Sequence, residues 1–300
     1  MSNSAGVLEL PALNQWALFR WIVIAQAAAM IVLMVSRDLA TAEGVSAMIQ
    51  SSVRWSVPLL FLAFAASSLP LLFPGDITRW IQRNRRILGV AFAVGMTWQV
   101  SFILWLVTVH RDYYVEEVYV LRDVIEGLIG YLFLILMTVT SFKPGRQWLT
   151  PKANQWKRLH TIGIYFLWAY AFGTYWYAVF YYENPDMIHY LFYAMAVAAL
   201  GARIAAWVKK QHRSLDKSAA PKLQQPTLRG IGRLVILLGV IGAATGSLWE
   251  APAHEHLYGF GWAQFLELYV PYWPFVPYLP MIAIALGAYL VVYARRVISD

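Results

Sequence analysis

Apolar residues run in long blocks along this chain, and short clusters of charge, glycine or proline close each block. A helix needs about 20 mostly apolar residues to cross the hydrocarbon core of a bilayer. Eight blocks reach that length: 13–36, 54–74, 87–109, 124–142, 160–182, 187–208, 230–249 and 275–294. The first continues well past signal-peptide length and no small-residue cleavage site ends it, so it reads as a membrane helix. No fixed-period repeat and no low-complexity tract interrupts the series. The pattern predicts an all-α integral membrane protein, an eight-helix bundle.

The polar residues between blocks set the expected orientation. Arg79, Arg83, Arg85 and Arg86 follow the second block, and Lys143, Arg146, Lys152, Lys157 and Arg158 follow the fourth. Lys209, Lys210, Arg213, Lys217, Lys222, Arg229 and Arg233 follow the sixth, and Arg295 and Arg296 the eighth. The alternate connections hold only Arg37, Arg54, Arg111 and Arg122, with most of the acids. Basic loops stay in the cytoplasm, so both termini are expected inside, in a bacterial-type inner membrane. The stretch 209–229, with Ser214, Ser218, Pro221 and Pro226, reads as a cytoplasmic linker between a six-helix block (1–208) and a two-helix C-terminal block (230–300). The aromatic and proline-rich stretch 250–274 cannot form one continuous helix. Its aromatics are expected along the outer membrane surface.

Composition narrows the function. Hydrophobic residues make up 60% of the chain and charged residues 13%, with a mean hydropathy of +0.52. Soluble domains carry about 25% charged residues, so a soluble enzyme, a disordered regulator and a secreted disulfide scaffold are excluded. There is no cysteine, which removes thiolate metal sites, iron–sulfur clusters and cysteine nucleophiles. The net charge of +8 resides in loop clusters, which points to the lipid bilayer and not to nucleic acid. Every lysine falls in or beside an expected cytoplasmic loop, so a retinal Schiff base has no residue to form on. No acid is expected at mid-membrane, where proton-coupled transporters place them. Arg20 and Arg203 lie near enough to the cytoplasmic side to snorkel.

Histidine is then the side chain to follow. Of six, His160 opens the fifth block, while His110, His189, His254 and His256 fall at the outer side and His212 in the linker. The third block is entered through Arg85-Arg86-Ile87-Leu88-Gly89 and the fourth ends Thr140-Ser141-Phe142. The fifth is entered through Trp156-Lys157-Arg158-Leu159-His160 and continues to Tyr165, and the sixth closes on Leu200-Gly201-Ala202-Arg203 before Trp207. Over about 55–208 this order resembles the ferric-reductase-like transmembrane domain. That domain is shared by ferric reductases, NADPH oxidases and the haem-binding membrane subunit of the methionine sulfoxide reductase system.

The resemblance implies b-type haem held between histidines of the third and fifth helices. It places His160 at one ligand position. At the positions of the outer pair it puts Gln99 and Gly173, neither of which is an iron ligand of this kind. Trp98, Trp168, Tyr170, Phe172, Tyr175 and Trp176 surround those two positions in sequence and are large enough to fill them. The expectation is a bundle without cofactor, an accessory or structural subunit beside other membrane-protein subunits of a redox or photosynthetic-type complex. Two other readings stay open. One is a transmembrane electron-transfer component with a single non-standard b-type haem or a flavin near His160, an oxidoreductase part that needs a separate electron-donor subunit. The other is a small-molecule transporter. On the outer side, His254 and His256 share a face if the chain there is extended, and would then suit zinc or copper.

Overall fold

The computed structural model describes residues 11–217, 225–266, 269–273 and 275–295. Among the described residues there is no strand, and eight long helices carry the fold. They are α1 (Gln15–Ser36), α2 (Ala42–Ala65), α3 (Asp76–Val109), α4 (Leu121–Thr140), α5 (Ala153–Tyr181), α6 (Met187–Lys217), α7 (Pro226–Ala244) and α8 (Leu279–Tyr293). Seven of them are long and apolar enough to cross a membrane, α8 together with the turn before it. That is the make-up of an all-α polytopic membrane protein. The exception is α5, 29 residues long, whose tyrosines and tryptophans bring polar tips into the middle of the helix.

The chain divides into two compact units, Met1–Ala66 with Gly75–Ala171, and Ser67–Pro74 with Phe172–Asp300. The division falls within α5 and not at 209–229. More than half of that expected linker is helix: α6 runs on to Lys217 and α7 opens at Pro226, while 218–224 lies outside the described residues. Arg296 lies outside them as well.

In the first unit, α2 starts far ahead of the expected residue 54. Thr41 caps it, its hydroxyl accepting the Gly44 N–H at 3.1 Å. The polar residues that disguise this stretch satisfy themselves. Ser51, Ser52 and Ser56 donate to the carbonyls of Ala47, Ile49 and Ser52 on their own helix at 2.6–2.7 Å. Arg54, expected in a loop, therefore sits inside α2, half-buried. Likewise α3 starts at Asp76, so Arg79, Arg83, Arg85 and Arg86 ride on a helix that outruns the apolar block.

The start of α1 is tied to α3. Asn84, 1% exposed, accepts the Gln15 N–H at 2.9 Å and donates to Asn14, while Trp80 donates to the Leu13 carbonyl at 2.8 Å. Further along, α2 lies on α3 with Ser56 against Gly95, where any side chain would collide with the serine hydroxyl. Met30, Val45, Met48, Phe102 and Leu106 form a core cluster between α1, α2 and α3.

The second unit is built on the pairing of α7 with α8. A Cβ added to Gly287 would stand 2.6 Å from the Gly232 carbonyl oxygen, and one added to Gly232 would stand 2.8 Å from that of Gly287. Backbone meets backbone, which is how small residues bring membrane helices together. The opposite side of α7 exposes Leu234, Leu237, Leu238 and Ile241, a face suited to lipid. Between α7 and α8, the stretch expected to be broken contains the short helices Gly246–Tyr258 and Gly261–Leu266.

Candidate functional site

The position where the resemblance expects a histidine on α3 holds Gln99, and the structure gives its amide a partner. The Tyr131 hydroxyl of α4 donates to Gln99 Oε1 at 2.8 Å. Tyr131 lies within electrostatic reach of Tyr170 on α5, and Tyr170 within reach of Asp123 and Glu126 at the start of α4. Glu126 is only 8% exposed. It lies near the start of α4, beside the acidic connection that precedes that helix. Of these residues, Tyr131 and Gln99 share a hydrogen bond and Glu126 is buried, while Asp123 and Tyr170 are exposed.

His160 stands at the other end of α4. Its Nε2 is 2.9 Å from the Thr140 hydroxyl, and its ring packs on Trp156 at 4.5 Å. Trp156 donates its indole N–H to the Thr140 carbonyl at 3.1 Å, and the Arg146 guanidinium covers the indole at 4.7 Å. Nearby residues of the same unit repeat the motif, with Arg86 over both Trp16 and Phe142 at 5.7 and 5.3 Å. Such cation–aromatic stacking orders long side chains where apolar helix meets water. His160 is half-buried within this clamp, and its described bond is to a hydroxyl.

Gly173 belongs to the second unit. A Cβ there would stand 2.7 Å from the Tyr278 hydroxyl, so the space is taken by Tyr278, whose ring lies 5.4 Å from that of Phe172. Phe172 and Trp176 are 0% exposed, and Trp176 packs on Phe180, Tyr193 and Trp249. Of the six aromatics expected to be fillers, Trp168, Phe172, Tyr175 and Trp176 are buried, Trp98 is half-buried, and Tyr170 is 38% exposed. Gln99 thus carries a hydrogen-bonded amide, and at Gly173 the Tyr278 hydroxyl takes the space a side chain would need.

His254 and His256 lie on the short helix Gly246–Tyr258, so the extended geometry that would align them is not adopted. Residues two apart on a helix point to different sides. His254 stacks on Tyr258 at 4.2 Å, and His256 meets Phe260 edge-on at 5.7 Å. Among the described residues no three His, Asp or Glu side chains converge as a metal site. Glu250, on the same short helix, is 4% exposed. Burial holds its carboxyl above the usual carboxylate range, and His254 partly offsets this. His189 accepts the Asp186 N–H on Nδ1 at 3.0 Å.

Two polar residues stand where the hydropathy pattern did not put them. Arg54, expected in a connection, lies within α2 because that helix begins earlier than hydropathy shows. Gln26, well inside the first apolar block, gave a signal that was there to be read: an amide in mid-helix, 2% exposed. No family model, no curated protein and no solved structure matches this chain.

Proposed function

We propose that this protein is a membrane-embedded, non-catalytic subunit built on a ferric-reductase-like bundle whose haem positions have been given over to side-chain packing. It would act beside other membrane subunits of a redox or photosynthetic-type complex, in an inner membrane with both termini in the cytoplasm. The observation that carries this reading is Tyr278 against Gly173, because a phenol oxygen 2.7 Å from the would-be Cβ leaves no place for an axial ligand. The Tyr131–Gln99 bond supports it independently. His160 does not favour a single-haem alternative, since ligation through Nε2 would break its contact with Thr140.

An absorbance spectrum of the purified chain tests the proposal. No stoichiometric Soret band is expected. A bis-histidine haem spectrum that survives His160→Ala would overturn both the assignment of positions and the function drawn from it.

A further inference from the structure

Gln26 lies midway along α1, about 16 Å from Gln15 and about 15 Å from Ser36 by helical rise. Its side chain is buried to 2% exposure, and neither amide atom has a hydrogen-bond partner. Burying an amide with its hydrogen bonds unmet is costly, so a helix interior does not retain one without compensation. The groups that face it are known. The point where a Cβ on Gly95 would stand is 2.8 Å from Gln26 Nε2 and closer still to Ser56 Oγ. The amide of α1 and the hydroxyl of α2 thus approach each other over the bare backbone of α3. Ser56 is 0% exposed and has committed its hydrogen to the Ser52 carbonyl at 2.6 Å. Towards Gln26 it can therefore only accept.

We infer that Gln26 anchors an internal water site between α1, α2 and α3, at mid-depth in the first unit. The chemistry selects the ligand. An amide and a hydroxyl bring two neutral oxygens, too few for a cation that takes about six to eight, and no charge to balance it. The residues around the pair close it off: Met30 is 1% exposed, Ser52 1%, Val57 3% and Ala91 0%, so a larger polar molecule has no way in without unpacking helices. The unmet groups are two N–H donors and a carbonyl acceptor on Gln26, with a lone pair on Ser56. Water donates and accepts at once, and buried waters make about three hydrogen bonds to otherwise unmet polar groups. A water here satisfies the amide and links three helices through a neutral bridge.

Radiolytic footprinting of the purified full chain tests the site, because X-ray pulses generate hydroxyl radicals from water wherever it is held. Met30 is one turn from Gln26 on the same helix and closed to bulk solvent, whereas Met187 is 82% exposed and serves as the internal standard. Oxidation of Met30 is expected in the native chain. It should fall to background in Gln26→Leu and drop in Ser56→Ala, with Met187 unchanged in both. An unlabelled Met30 in the native chain, the result of a direct Gln26–Ser56 bond, overturns the inference. So does labelling that persists in Gln26→Leu. If Gln26→Leu fails to fold, the native chain and Ser56→Ala decide the matter by the same readout.

Discussion

The second unit's aromatic core is organised around a missing carbon. Gly173 lets the Tyr278 hydroxyl approach to where a Cβ would be 2.7 Å away, while the ring carbon behind that hydroxyl would be at an ordinary 3.7 Å. Gly173→Ala should therefore destabilise the unit by about 1–3 kcal/mol through overpacking. In a Tyr278→Phe background most of that loss should disappear, because only the oxygen is too close. A double-mutant cycle on thermal unfolding measures the coupling, and purely additive effects would show that Tyr278 is not what fills the position. The sequence revealed Gly173 as a place without a ligand but could not name the occupant, because Tyr278 comes from a distant helix turn. Gln99 was legible in the same limited way: the residue could be read, its tyrosine partner could not. Gln26 was visible throughout, yet its significance depends on burial, which no single helix pattern contains.

Helix pairing in this protein depends on glycines chosen by position. Gly287→Ala would drive a methyl group into the Gly232 carbonyl, backbone against backbone, with no flexible side chain to yield. A loss of about 1–3 kcal/mol is expected. Gly201, in α6, has nothing within 4 Å of its Cβ position. There alanine should instead be neutral or stabilise by about 0.5–1 kcal/mol through helix propensity. Matched melting curves of the two variants separate a packing glycine from a tolerated one, and equal effects would refute the backbone seam. At this scale the sequence was read well where helices are plainly apolar, and α1, α4 and α7 fall close to their expected bounds. It was misread where polar groups are satisfied locally. The serines of α2 bond to their own carbonyls, and the arginines of α3 ride on a helix extension, so hydropathy alone placed both starts too late. The aromatic α5 was found, though its tyrosines and tryptophans lower its apparent hydropathy.

For the molecule as a whole, the class was legible because it depends on averages: 60% hydrophobic residues and 13% charged cannot cover a water-facing surface. The order of contacts was not, and the division inside α5 left no mark in composition. The alternation of charged loops makes the topology testable. If both termini are cytoplasmic as proposed, a reporter fused after Trp148 should lie in the cytoplasm and one after Tyr258 outside, and a periplasmic signal after Trp148 would overturn that proposal. The tether between α1 and α3 adds a dimension of time. Gln15 and Asn84 are 69 residues apart. That helix ends at Ser36, 48 residues before Asn84, and ribosomes add about 5–20 residues per second, so α1 is complete for about 2–10 s before the partner that fixes its end has been made. Ser56 follows the end of α1 by about 1–4 s and Gly95 by about 3–12 s, and until both are made the Gln26 amide lacks the neighbours that enclose it. The first helix is thus a nascent chain in waiting, and its amide is the group a membrane chaperone would have to shelter.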